Sequence, residues 1–413
     1  MDAAARCWLL DIARDVLAQG DAGEFRLAPE TMTLPASTYT SSEAFEAERR
    51  RLFRRVPLML AATCELREPG AYKTLDVAGV PVLLTRDREG RAHALLNACT
   101  HRGAPVASGC GRANLFTCPY HGWSFANDGR LAGIASAADF GAIDKARHAL
   151  RALPLRERNG LIWVVLDPAS TLDIDAFLGT FGDALDGFGF ASPGPGEAWH
   201  LVDQRTLRGA NWKLAFDAHL EFYHLPVLHK ATFGPNTDNR ALYFHDGPHS
   251  RLIRPVGGGK PSAAARTDLR HWQHVADDAI PTQALLLGEW ILFPNVSINS
   301  FDAGGRSVLV SQVFPGATVD ESFTVQSFYM QGEAGEDGLS AARAMATFLE
   351  HVVRDEDLTN SFAQQRALDS GLLEMVSIGR NEGGLQHFHR WLAMILGTED
   401  AALDGLFARS RAN

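Results

Sequence analysis

Two short stretches bring sulfur and imidazole together. Residues 97–103 read NACTHRG and residues 118–123 read CPYHGW, which gives Cys99-x-His101 and Cys118-x-x-His121. Thiolates are soft ligands for iron or zinc, and neutral imidazole suits both metals. Two Cys and two His can close a structural zinc site, but zinc sites tend to draw on like residues placed close together, such as Cys-x-x-Cys. Here each half supplies one Cys and one His. That mixed pairing fits a [2Fe–2S] cluster with two Cys on one iron and two His on the other. Gly103 and Gly122 follow the histidines and Pro119 stiffens the second loop, as tight loops approaching bridging sulfides require.

Such a cluster, of the Rieske type, carries electrons and performs no chemistry on a substrate. A second constellation says where the electrons go. Residues 211–229 read NWKLAFDAHLEFYHLPVLH, with Glu221, His224 and His229 in close succession. If the segment is helical, Glu221 and His224 share a face. Pro226 then ends or kinks the helix just beyond His224 and lets His229 return to the same point. Two imidazoles and one carboxylate form the facial triad of non-haem Fe(II) oxygenases, with positions left open for O₂ and substrate. The plain alternative is a pair of histidines satisfied by hydrogen bonds in a core.

The rest of the chain must position these groups. At 413 residues it can build a large core and two domains. Apolar residues at 46% and charged residues at 21% are the balance of a globular protein. A net charge of −10 argues against nucleic-acid and anionic-membrane partners. The longest apolar run, around ALLLGEWILF, is broken by Gly288 and Glu289, so no membrane span is expected. The N-terminus reads as an amphipathic helix rather than a signal peptide. Five scattered cysteines make a poor disulfide framework and fit a reducing cytoplasm. Cys110 has no partner in the second loop, and Cys7 and Cys64 read as ordinary thiols.

Residues 45–55 look helical. Short β-rich runs follow: VPVLLT (80–85), HALLNA (93–98) and LIWVVLD (161–167), punctuated by Gly and Pro. ASPGPGEA (191–198) reads as a loop. Beyond it, VLVSQVF (308–314) and SFTVQSFYM (322–330) read as strands. Residues 337–354 read as a helix with Met345, Phe348, Leu349, Val352 and Val353 on one face. The fold class expected is α+β: a small β-rich [2Fe–2S] domain, then a larger domain with an antiparallel sheet flanked by helices. The boundaries expected are 1–44 for an N-terminal helical segment packing on the larger domain, 45–167 for the cluster domain and 168–413 for the mononuclear iron domain. Trp290, Phe293 and Phe301 are either pocket walls or core. His245, His249, His271 and His274 are expected on loops.

The two loops and the NWK…E-x-YH…LH segment together resemble the α subunits of Rieske non-haem iron oxygenases, the ring-hydroxylating family. The likeness runs from about residue 38 to 395. It implies a Rieske cluster held by Cys99, His101, Cys118 and His121, and a mononuclear Fe(II) held by His224, His229 and a carboxylate on a late helix. RDEDLTNSFAQQRAL (354–368) offers Asp357 for that third position, with Asp355 as the fallback. The resemblance makes Glu221 the carboxylate bridging His224 to His121 of the partner subunit, in a head-to-tail homotrimer. GRNEGGLQHFHRWL (379–392) resembles the family's closing segment.

Two departures are visible. The family most often has Asp at the bridge, and Glu221 resembles the carnitine and quaternary-amine oxygenases. Ala218 stands where an Asn beside the iron is common, with Asp217 before it; His219 adds an imidazole, read as supporting the site rather than as a ligand.

The resemblance implies a cytoplasmic oxidoreductase, a mono- or dioxygenase. NAD(P)H electrons would arrive through a separate reductase, with or without a ferredoxin, since GCGRAN (109–114) is no nucleotide-binding turn. The leading expectation is hydroxylation of an aromatic or other hydrophobic small molecule, as in aromatic hydrocarbon catabolism. The alternatives are a monooxygenase or demethylase acting on an amine or quaternary ammonium compound, and an electron-transfer Rieske protein without oxygenase activity.

Overall fold

The computed structural model describes residues 1–191, 197–235, 237–255, 269–332 and 335–408. Residues 192–196 of the loop expected at 191–198 lie outside them. The chain divides into two compact units, Phe53–Ile174, and Met1–Leu52 together with Asp175–Asn413.

The smaller unit is built from short antiparallel strands. Ala71–Val77, Val80–Arg86 and Ala92–Leu96 form a meander, completed at its edges by Cys110–Arg112 and Ala152–Leu153. The first hairpin closes on Ala78 and Gly79, both at positive φ (53° and 78°). A two-residue turn of that hand matches the right-handed twist of its strands, and it sets the register Val77 to Val80. A three-stranded sheet, Leu115–Thr117, Ser124–Ala126 and Leu131–Gly133, carries the second cysteine loop between its first two strands. Leu83, Leu95, Phe116, Trp123 and Phe125 pack into one buried cluster with Cys99 and Cys118. The cysteine loops are therefore anchored from behind by apolar burial.

The larger unit is centred on a seven-stranded antiparallel sheet. Its spatial order is Trp199–Gly209, Ser322–Gln331, Arg306–Pro315, Val296–Asp302, Glu289–Leu292, His249–Ile253 and Leu242–Asp246. Both runs expected as strands, 308–314 and 322–330, are neighbours inside it, its third and second strands, paired from Ser307–Met330 to Pro315–Ser322. The helix Glu336–His351 packs on this sheet. Its contact face keeps Met345 and Leu349 of the expected stripe and adds Ala342 and Ala346, against Leu309, Phe328 and Met330, while Phe348 is 37% exposed. Small residues let helix and sheet approach closely. The helix then widens into a π-helical stretch, Val352–Leu358, which shifts its phase.

The N-terminal helix Ala3–Ala22 is capped by Asp2, whose carboxylate accepts from the Ala5 amide. Met32–Pro35 pairs antiparallel with Met375–Ile378. The boundary expected at residue 45 moves to Phe53, and the one at 167 moves to Ile174. The reason at the first boundary is Glu48. Its carboxylate accepts from the Lys213 ammonium at 2.6 and 2.7 Å and from the Trp212 indole at 2.7 Å, which ties residues 42–52 to the larger unit. The Lys213 side chain is fully buried and that of Glu48 is 3% exposed. Burial lowers the Lys213 pKa even against the pull of Glu48. Lys213→Met would strand a buried carboxylate, and the expected cost is about 3–5 kcal/mol in denaturant unfolding. Adding Glu48→Gln should recover most of it, and an unchanged midpoint for the single variant would refute the assignment.

His245 and His249 were expected on loops, but they sit on strands Leu242–Asp246 and His249–Ile253. His245 stacks on His387 at 3.8 Å between centroids. His271 lies in the 3-10 turn Leu269–Trp272. Among the described residues, no helix is long and apolar enough to cross a membrane.

Candidate functional site

Each cysteine loop closes with the same pair of backbone bonds. Gly103 N–H donates to the Cys99 carbonyl at 2.7 Å, and Gly122 N–H donates to the Cys118 carbonyl at 3.0 Å. Both glycines have positive φ, 82° and 70°. A Cβ on Gly122 would sit 3.0 Å from the Ala135 Cβ, so tightness here demands glycine. Cys99 and Cys118 are 3% and 2% exposed and unbridged. The His101 and His121 rings come together at 4.6 Å, and His101 stacks on Trp123 at 5.0 Å. Burial, with the neighbouring Cys118 sulfur, raises the Cys99 pKa. The Nδ1 of His101 is buried without a hydrogen-bond partner. Two adjacent buried thiols and an orphaned imidazole nitrogen fit a metal cluster with two sulfur and two nitrogen ligands.

The second site is assembled differently from the expected helical face. Asn211 caps a helix that runs only from Trp212 to Asp217. Glu221 to His224 form a turn, and Pro226 lies in the first turn of the next helix, Leu225–Leu228. Proline is tolerated there, so it starts this helix rather than ending the previous one. The Glu221 carboxylate organises the turn. One oxygen accepts from the amides of Tyr223 and, at 3.2 Å, His224; the other engages His224 Nδ1. Glu221 thus reaches His224 through a turn.

Across the cavity, the π-helical stretch presents Asp357. His224, His229 and Asp357 each offer one ligand atom, all within 4.8 Å of one another. Asp357 Oδ1 lies 3.2 Å from His229 Nε2 and 3.8 Å from His224 Nε2, and it is buried without a hydrogen-bond partner. Asp355, the fallback, points elsewhere, to His351 at 2.6 Å and to Arg354. Although burial opposes it, Asp357 and then Glu356 raise the His229 pKa. So much negative charge around two imidazoles suits a cation, and the donor set fits a mononuclear iron.

Glu356 received no role from sequence. It engages His229 Nδ1 at 2.6 Å and accepts from Thr232 at 2.9 Å. A carboxylate behind a ligand imidazole fixes its tautomer and raises its basicity. Glu356→Gln is expected to weaken iron retention by about 10–100-fold, read by metal-exchange titration, with little change in folding. An unchanged affinity would remove Glu356 from the site.

A cavity of about 680 Å³ opens over these groups. Of the three aromatic candidates, Phe301 lines it, while Trp290 and Phe293 are buried core. Ala218 also lines it. Asp217 turns away, accepting from Tyr39 at 2.7 Å beside His389. His219 reaches Glu289 at 3.1 Å rather than joining the triad. Glu289 was the missed residue on the wall. Its signal was a lone carboxylate inside the apolar run ALLLGEWILF.

Two family descriptions match this chain. "Rieske [2Fe-2S] domain" covers residues 56–145, and "Ring hydroxylating alpha subunit (catalytic domain)" covers residues 196–398. The chain belongs to the Rieske non-haem iron oxygenases. This oxygenase is 28% identical over 377 residues to the carnitine monooxygenase oxygenase subunit of Escherichia coli (strain K12), spanning 89% of this chain and 94% of that one. It is 32% identical over 210 residues to the glycine betaine monooxygenase oxygenase subunit of Pseudomonas aeruginosa, spanning 49% and 46%. Its fold matches that of a quaternary ammonium Rieske monooxygenase, with a TM-score of 0.71, 22% identity and coverage of 89% and 96%. It also matches naphthalene 1,2-dioxygenase from Rhodococcus sp. bound to indole, with a TM-score of 0.73, 20% identity and coverage of 96% and 98%. Oxygenases of this family are oxidoreductases that use a Rieske cluster, a mononuclear iron and electrons derived from NAD(P)H. Their α subunits are oligomeric and take electrons from partner proteins.

Proposed function

We propose that this chain is the oxygenase component of a monooxygenase acting on an amine or quaternary ammonium compound, rather than on the aromatic hydrocarbon first expected. The observation that carries the reading is the cavity over His224, His229 and Asp357, walled by both apolar side chains and the Glu289 carboxylate. The likeness to carnitine and glycine betaine monooxygenases points the same way.

In this reading Cys99, His101, Cys118 and His121 hold the cluster, and His224, His229 and Asp357 hold the iron. Bound there, the cluster would supply single electrons and the iron would activate O₂. Glu221 keeps the Nδ1 proton on His224, and Glu356 does the same for His229. The apolar walls Ile253, Leu287, Leu309 and Val352 keep bulk water from the reacting carbon. One oxygen atom enters the C–H bond next to nitrogen and the other leaves as water, using two electrons and two protons. The resulting carbinolamine expels the amine and leaves an aldehyde.

A head-to-tail homotrimer belongs to the same proposal, with Glu221 linking His224 to His121 of the partner subunit. Tyr223 and Val227 follow Glu221 in the chain and are 53% and 74% exposed, as an uncovered interface would leave them. A separate reductase and a cytoplasmic location complete it.

The test supplies a compatible reductase, NADH and trimethylammonium compounds, and measures aldehyde and trimethylamine against NADH consumed. Coupled release of both supports the reading. Arene hydroxylation with no amine release would overturn it. The electron-carrier alternative predicts instead that His224→Ala leaves function intact.

A further inference from the structure

We propose that Glu289 is the specificity-determining carboxylate of the cavity, the group that receives a cationic ammonium head; this rests on the amine reading above. Backbone geometry places it there. Gly288 has a φ of 96°, and a Cβ on it would meet the Leu252 carbonyl at 2.1 Å. Only glycine allows the chain to turn into the strand Glu289–Leu292 at this point. Glu289 is 7% exposed and lines the cavity.

Its hydrogen bonds leave it half-used. Oε1 accepts from the Ser297 hydroxyl at 2.6 Å and meets His219 Nδ1 at 3.1 Å. Asn299 steadies Ser297 at 3.1 Å. Oε2 has no hydrogen-bond partner among the described residues. A carboxylate oxygen held in a low-dielectric cavity without a partner strongly favours an arriving cation or donor.

Its one ion-pair partner among the described residues is His219, whose pKa Glu289 raises although burial opposes it. Arg251 is buried one strand away, but it pairs in register with Trp290 on the opposite face of the sheet. There its guanidinium donates to the carbonyls of Leu285 and Leu287 and lies 4.7 Å from the Trp290 ring. Glu221, Asp357 and Glu289 place three carboxylates on the cavity wall. Arg254 and Arg270 also line the cavity, so it presents both signs of charge. The aromatic lining is Phe222, Phe233 and Phe301, without Trp or Tyr. That makes a weak cation–π cage, so discrimination falls to the carboxylate.

The test compares γ-butyrobetaine with 5,5-dimethylhexanoate, in which carbon replaces the ammonium nitrogen and the carboxylate tail is unchanged. Binding to the holoenzyme is measured by calorimetry. The wild type is expected to prefer the ammonium by about tenfold or more. Glu289→Gln should bring that ratio close to one, chiefly by weakening binding of the ammonium probe relative to its neutral-headed isostere, and Glu289→Asp should restore part of it. Unfolding midpoints near wild type certify both variants. A wild-type preference that survives in Glu289→Gln overturns the assignment and leaves the amine reading standing. A wild-type ratio of one, or no binding of the ammonium probe, overturns both.

Discussion

His229→Ala is expected to yield a folded protein with about two iron atoms per chain where the wild type holds about three, and no detectable product. His229 is 2% exposed and draws on Asp357 on one side and Glu356 on the other. Its loss removes a ligand and leaves two carboxylates facing an incomplete site. The Rieske visible spectrum should be untouched, because its four ligands lie in the other compact unit. Metal analysis with that spectrum separates the outcomes. Three irons and normal turnover would show that His229 is a core histidine, the plain alternative weighed from the sequence.

Glu221→Gln is expected to keep both metal centres and lose more than about 100-fold in product formation. The amide can still accept from the amides of Tyr223 and His224, so the turn should survive. It cannot carry the charge that stabilises a proton on His224 Nδ1, nor couple that imidazole to a second one. The discriminating measurement mixes dithionite-reduced protein with substrate and O₂ and follows the Rieske EPR signal. In the variant the reduced signal should persist while wild type loses it within one turnover. Reoxidation at the wild-type rate would assign Glu221 to the structure of the turn alone.

Much of the chemistry was legible in the sequence because metal ligation depends on residue type and short spacing. Cys99-x-His101, Cys118-x-x-His121 and the His224–His229 pair each fall within a few residues. Asp357 needed a long-range partner, and only family likeness pointed to it; spacing could not separate it from Asp355. The π-helical phase of Val352–Leu358 turns Asp357 toward the histidines and Asp355 toward Arg354. Periodicity misjudged the 221–229 segment, because a carboxylate capping two amides stabilises a turn that mimics helical proximity. On Glu336–His351 it found Met345 and Leu349 on the sheet-facing side, missed Ala342 and Ala346, and placed Phe348 there although Phe348 is 37% exposed. His245 and His249 show the converse limit: polar residues in short segments read as loops, yet both pair across strands and His249 is buried. Glu289 illustrates how a site residue hides. In ALLLGEWILF it looked like an interruption, and its meaning appears only when the sheet brings Ser297 and His219 to it.

The central claim is that an open mononuclear iron site and a Rieske cluster coexist in this chain. The most direct measurement is EPR on anaerobic, dithionite-reduced protein before and after nitric oxide is added. Nitric oxide binds an open Fe(II) site and gives a high-spin signal distinct from that of the reduced cluster. Both signals are predicted, with the nitric oxide signal perturbed by γ-butyrobetaine. A Rieske signal alone, after reconstitution with Fe(II), would contradict the claim and leave the chain an electron carrier.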